Sequence, residues 1–223
     1  MLNWLRSRLS VLVLVALWGT SLGLVLPLLQ DIRQTAASAP QLSGPCDFTM
    51  FWAVGRMANA GQAADIYTPA KILSAEDFPE NPHIRLLWFY PPPALLLVSP
   101  FAHIAPFFRA FYLWIAGVLL LSVLILRRAG LAWPVIAAAV LSPAGLLNAD
   151  LGQLGFLTGA LTIAGLLLAD KSPALAGGLF GALAFKPQAA MLGPVLLLAQ
   201  GRWRGIAGGA AVALALCGLS LAF

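Results

Sequence analysis

The sequence predicts an all-α, polytopic helical membrane protein. Two observations carry that prediction. Of 223 residues, 61% are hydrophobic and only 9% are charged, against about 25% charged in an ordinary soluble domain, and the mean hydropathy is +0.90. The apolar residues also fall in long uncharged runs, at 9–30, 86–108, 110–126, 129–149, 151–169, 172–185, 187–201 and 205–223. So much apolar surface cannot be covered in a water-soluble globule. That excludes a cytosolic enzyme, a nucleic-acid reader and a disordered tail. The net charge of +5 does not point to nucleic acid either, because the basic residues flank the apolar runs, where they act as topology signals.

A helix crossing a ~30 Å hydrocarbon core needs about 20 apolar residues, so the runs predict about seven membrane segments. They lack the period-2 alternation of barrel strands, and a helix satisfies its own backbone in lipid. The first run, 9–30, follows Arg6 and Arg8 and resembles a signal peptide, with Ala37, Ser38 and Ala39 mimicking a cleavage site. The run exceeds the ~7–15 residues of a signal core, and the candidate site lies well beyond it, so it reads as an uncleaved first helix. Residues 30–86 form a long polar insert on the outer (periplasmic) side, and loops longer than about 12–15 residues are usually functional. Within it, 48–60 (FTMFWAVGRMANA) predicts a short helix lying at the membrane surface, with Asp47 placed to cap its N-terminus. Residues 74–83 (SAEDFPENPH) are acidic and proline-broken, which predicts exposed loop.

The segment 91–105 contains Pro91, Pro92, Pro93 and Pro100, with Pro106 next to it. Prolines break helices, and the segment is expected to dip in and return, or to lie half-buried; the rival topology lets 87–105 cross fully and exports Arg127, Arg128 and Lys171, and the positive-inside rule favours the first. Arg6, Arg8, Arg127, Arg128, Lys171, Arg202 and Arg204 then all fall on the cytoplasmic side. Asp47, Tyr90, Asp150, Gln153 and Lys186 share the outer side. Cys46 and Cys217 fall at different depths and fit no metal spacing. There is no internal repeat, so residues 1–223 read as a single transmembrane module.

Ionisable residues among apolar neighbours are functional candidates, and three places qualify. Asp47, beside Phe48, Phe51 and Trp52, is either a helix cap next to an aromatic interface belt or a carboxylate able to take a proton from an acceptor hydroxyl. Residues 148–153, which include Asn148, Asp150, Gly152 and Gln153, form either a tight polar turn or a hydrogen-bonding set facing the same cavity. Lys186, followed by Pro187 and Gln188, interrupts an apolar stretch. It is either a snorkelling lysine or a phosphate ligand at a broken helix. His103 reads as a backbone partner. No P-loop, HExxH or GxSxG motif occurs, and no Cys/His cluster or Asp-x-Asp pair suggests a metal cofactor.

In chain order the landmarks are a first helix, Asp47-Phe48 with Phe51-Trp52, Gly61 with Ile66-Tyr67, Tyr90-Pro91-Pro92, Gly152-Gln153 and Lys186-Pro187. This order resembles the integral-membrane glycosyltransferases of family 87, in the GT-C superfamily, which include polyprenol-phosphate-mannose-dependent mannosyltransferases. The chain corresponds to the N-terminal half of that pattern, as expected of a truncated product, a natural short form or one half of a two-chain enzyme. The resemblance implies a GT-C-like fold, a cell-membrane (inner or plasma membrane) location and a catalytic base in the first outer loop, which maps onto Asp47. It also implies a polyprenyl-phosphate sugar donor, carrying mannose or a similar sugar, with a lipid or glycan acceptor at the outer face. Lys186, with Arg56 or Arg85, is then expected to stabilise the leaving phosphate. Trp52, Tyr90, Asp150 and Gln153 are expected to contact substrate. The competing expectations are a transporter or flippase of a lipid-linked substrate and a non-catalytic membrane subunit.

Overall fold

A computed structural model describes residues 46–77 and 85–223. The first apolar run with Arg6 and Arg8, the insert up to residue 45 and the acidic stretch at 78–84 lie outside the described residues. Every regular element described is helical. The α-helices are α1 (Cys46–Asn59), α2 (Pro69–Ala75), α3 (Leu95–Ala102), α4 (Phe107–Arg128), α5 (Trp133–Val140), α6 (Pro143–Leu151), α7 (Gly155–Leu168), α8 (Pro173–Ala182), α9 (Pro187–Ala190), α10 (Leu192–Ala199) and α11 (Trp203–Leu219). Short 3₁₀ turns cover Ala63–Tyr67, Pro92–Ala94, Leu183–Phe185 and Ser220–Ala222.

Among the described residues, α4 and the helix Trp203–Ala222 are long and apolar enough to cross a bilayer, and the bent pair α5–α6 adds a third if it counts as one span. Proline explains why several of the other apolar runs are divided into short helices. Pro143, Pro173 and Pro187 each open a new helix, since a ring without a donor fits the first turn and not the interior. The α5–α6 pair bends by 58° where Pro143 intervenes. The proline-rich 91–105 segment yields the 3₁₀ turn Pro92–Ala94 and α3, a continuous helical piece that rises roughly 18 Å, well short of a ~30 Å hydrocarbon core.

The core forms around α1. This helix is apolar on nearly every side, as buried helices are: Phe48, Phe51, Ala53 and Val54 are at most 1% exposed. The 48–60 stretch is thus helical up to Asn59, as its composition predicts, and its apolar side chains are enclosed by protein. Gly55 makes the enclosure possible. A Cβ there would sit 2.7 Å from the Ala102 Cβ and 2.8 Å from the Val98 carbonyl oxygen, so only glycine lets α1 and α3 approach this closely. Asn59 Nδ2 donates to the Ser99 carbonyl at 3.0 Å at the end of the contact. A second close pairing joins α8 and α11. Gly177 and Gly181 of α8 face the backbone of Gly205 and Gly209 of α11, the small-residue spacing that lets apolar helices gain van der Waals contact without a hydrophobic driving force.

The bundle has two chemically distinct ends. Arg127 and Arg128 close α4, Arg128 lines one cavity with Leu168 and Leu175, and Arg202 is paired with Asp170. The basic residues thus gather where α4 ends, α7 ends and α11 begins. The first turns of α4 lie at the other end of that 22-residue helix, a rise of about 33 Å, and the residues of interest sit there.

Candidate functional site

Asp47 lies in the first turn of α1, inside the helix rather than before it, where a negative charge meets the positive end of the helix dipole. The next residue anchors it. The Phe48 ring packs on Phe107, Phe111 and Trp114 at centroid distances of 5.4, 5.5 and 5.9 Å. The end of α6 is drawn against this turn by Gly152. Its φ of +74° is left-handed, and a Cβ there would lie 2.6 Å from the Phe48 Cβ. Trp114 Nε1 fixes the junction by donating to the Gly152 carbonyl at 2.8 Å.

That junction places Gln153. Its carbonyl accepts from Asn148 Nδ2 at 3.1 Å, and its Oε1 accepts from the Leu154 amide at 3.3 Å. Its side chain is hydrogen-bonded to the Asp47 carboxylate. Lys186 arrives from a third direction. The chain leaves the helical region at Lys186, with φ −143° and ψ 69°, between the turn Leu183–Phe185 and α9, because the residue before a proline is driven out of the α region. Its Nζ stands 5.9 Å from the centroid of the Tyr90 ring. Tyr90 ends the extended segment 85–90. Its ring meets Phe51 edge-on at 5.5 Å and packs on Trp88 at 5.0 Å, and its carbonyl accepts from Tyr67 Oη at 3.0 Å.

The electrostatics follow from this packing. Burial pushes the Asp47 carboxyl above the usual aspartate value; the Gln153 hydrogen bond and the Lys186 charge offset part of that rise. Burial, with the Asp47 charge beside it, pushes the Tyr90 hydroxyl up to about 12. Near neutral pH the site therefore presents a neutral phenol donor next to a carboxylate whose proton affinity has been raised.

The other expected site residues are placed elsewhere. Arg56 stacks over the buried Trp52 ring at 4.7 Å, nine residues along α1 from Asp47, about 13 Å. Trp52 itself packs edge-on against Phe107 at 5.4 Å. Arg85 donates to the Leu73 carbonyl at 2.6 Å and pairs with Asp77 at 3.2 Å. Neither arginine joins the Asp47 cluster, because each is taken up by a nearer partner; of the cations named, Lys186 is the one whose charge acts on Asp47. Asp150 is exposed on the last turn of α6. His103 is exposed and caps α3. Cys217 is a free, exposed thiol. Among the described residues, no group of three or more His, Cys, Asp or Glu is arranged to hold a metal.

Glu76 was not singled out by its sequence context. It lies in the acidic stretch expected to be exposed, yet it is fully buried. Its surroundings of Asp77, Phe78, Pro79 and Glu80 give no periodic signal that one acid points inward. Tyr67 and Phe51 stood among the ordered landmarks, but their contacts with Tyr90 are made by the fold.

In a comparison with protein families, the model for glycosyltransferase family 87 matches residues 88–223. The chain belongs to glycosyltransferase family 87. Members of this family are glycosyltransferases and usually membrane-bound. The matched region of this family 87 chain contains Tyr90, Gln153 and Lys186, whereas Asp47 lies upstream of it. No curated protein and no solved structure matches the chain.

Proposed function

We propose that this family 87 chain transfers a sugar, mannose or a similar hexose, from a polyprenyl-phosphate donor to a hydroxyl of a lipid or glycan acceptor at the outer face of the cell membrane. Asp47 takes the acceptor proton as the hydroxyl oxygen forms its bond to the anomeric carbon. The bond from that carbon to the phosphate oxygen breaks on the opposite side, inverting the centre, and its electron pair leaves with the lipid phosphate. Lys186 faces the developing phosphate charge, an ammonium held in place before the reaction. Tyr90 and Gln153 orient the sugar by ring contact and hydrogen bonding.

One observation carries this reading. Four segments far apart in the chain, at residues 47, 90, 153 and 186, meet at one end of the bundle and supply an acceptor, a neutral donor and a cation. The break at Lys186 also suits a carrier of lipid-linked substrates, because discontinuous helices commonly form transport sites. Sugar transfer separates the two. In membranes containing the chain, radiolabelled polyprenyl-phosphate mannose should lose its label to an acceptor, and Asp47→Asn should lower that transfer by roughly 10²–10⁴-fold. Translocation of the donor without any transfer by the unmodified chain would establish the carrier instead.

A further inference from the structure

The 85–90 segment has no helix or sheet of its own, yet its last residue supplies a ring to the Asp47 site. Something must hold it. Three hydrogen bonds tie it to the preceding 63–77 region: Tyr67 Oη to the Tyr90 carbonyl at 3.0 Å, Arg85 Nη1 to the Leu73 carbonyl at 2.6 Å, and the Leu86 amide to Glu76 Oε2 at 2.8 Å. The first and second involve exposed side chains, which water can replace. The third is different. Glu76 is fully buried, and its second oxygen, Oε1, has no hydrogen-bond partner. A buried, half-satisfied carboxyl is costly and calls for an explanation.

We propose that Glu76 is a positioning residue for the Asp47 site, holding through the Leu86 amide the extended segment that carries Tyr90. The assignment rests on the reading of Asp47, Tyr90 and Lys186 as substrate-facing groups. Glu76 itself touches none of them. The path is short: Leu86 is fixed by Glu76, Trp88 is buried against Phe51 at 6.2 Å, and Tyr90 meets the same Phe51 ring. Alternate residues of the segment thus face inward while Leu87 and Phe89 are exposed, the period-2 pattern of extended chain. Loss of the Leu86 anchor frees the end of this segment and, with it, the register of Tyr90.

The clasp is also sensitive to protonation. Burial pushes the Glu76 carboxyl up to about 7, while the Leu86 amide and the nearby Arg85 charge oppose the rise. Among the described charged groups on the packed segments, Arg85 is shared with Asp77, and Lys71 is paired with Asp65. A carboxyl raised in the folded state binds more protons there than in the opened state. The clasp is therefore fully stabilised below the ordinary glutamate value of 4.5 and loses that stability as pH rises through about 7. Above that pH the buried charge favours an opened segment.

Hydrogen exchange of a peptide spanning 85–90, measured on the detergent-solubilised full chain, reads the clasp without any substrate. Protection of the unmodified chain should fall between pH 6 and pH 8, beyond the intrinsic rise in exchange rate. Glu76→Gln, which keeps an acceptor for Leu86 and cannot ionise, should retain protection at both pH values. Glu76→Ala should lose it at both by about tenfold, the usual scale of a hydrogen bond to a charged or buried acceptor. Sugar transfer supplies the second readout: the alkaline limb of its pH profile should vanish in Glu76→Gln. If Glu76→Gln follows the unmodified chain across pH, or if Glu76→Ala stays protected, the assignment fails. Retention of transfer by Asp47→Asn would remove the reading of the site, and the exchange arm would still judge the clasp.

Discussion

Asp47 and Lys186 are coupled, and that coupling can be measured. A base works only when ionised, so transfer should rise with pH through the Asp47 titration, which burial holds above the usual aspartate value. Lys186 and Gln153 both pull that titration back down. Lys186→Met and Gln153→Leu should therefore move the acid limb of kcat/KM to higher pH, whereas a lysine that merely snorkelled to water would leave the limb in place. Asp47→Asn should lower transfer by roughly 10²–10⁴-fold, the usual contribution of a positioned base. Its thermal midpoint should stay level or rise, because the amide carries no buried charge. A fall in both activity and Tm would mean that Asp47 is structural. The sequence made Asp47, Gln153 and Lys186 legible because each is a polar interruption in an apolar field. Arg56 and Arg85 were equally conspicuous, but pairing with Trp52 and with Asp77 is a three-dimensional matter that spacing does not encode. Glu76 was hidden for the opposite reason, as one acid among several in a stretch that reads as loop.

Single glycines set how closely the helices approach, and two of them are testable. Gly152 combines a left-handed φ with a neighbour that leaves no room for a Cβ. Gly152→Ala should cost at least the 1–2 kcal/mol or so of a left-handed non-glycine residue, and it should displace Gln153 from Asp47. The expected outcome is a lower Tm together with an acid limb shifted upward, as in Gln153→Leu. A lowered Tm with an unmoved limb would separate Gly152 from the site. At the α8–α11 contact, Gly181→Val should destabilise by about 1–3 kcal/mol, as overpacking does, measured as a loss of midpoint in detergent. Gly61, where a Cβ meets nothing within 4 Å, is the control, limited to its backbone cost. The same elements show where sequence reading stops. Helicity followed from uncharged runs, and the α1 helix from its aromatic, compact composition. Helix length did not follow, because a run such as 129–149 is continuous in hydropathy but is divided at Pro143 into two helices bent by 58°. Burial of α1 was invisible as well, because an apolar helix on a membrane and one inside a protein have the same composition.

At the scale of the whole molecule, the separation of the two ends ties chemistry to membrane topology. Asp47, Gln153 and Lys186 gather near the start of α4, and Arg127 and Arg128 stand at its finish, about 33 Å away for a 22-residue helix. That rise matches a ~30 Å hydrocarbon core. A helix crossing once must therefore deliver its two ends to opposite faces. The arginine end also gathers Lys171 and Arg202, with Asp170 as the nearby acid, and positive charge of this kind is retained on the cytoplasmic side. The proposed transfer at the outer surface requires the site to lie on the opposite, outward face. This can be checked in a background with Cys46 and Cys217 replaced by serine, because Cys217 is exposed and would otherwise react. Single cysteines at Asp150 and Arg128 are labelled with a membrane-impermeant maleimide in intact cells. Asp150 is exposed beside the site, so Asp150→Cys should react from outside, and Arg128→Cys should react only after the membrane is opened. Labelling of both from outside would mean that α4 does not cross. Labelling of Arg128→Cys alone would invert the molecule and put Asp47 on the cytoplasmic face. Under that inversion a donor displayed at the outer surface could not reach its base, and a cytoplasmic sugar donor would have to replace it.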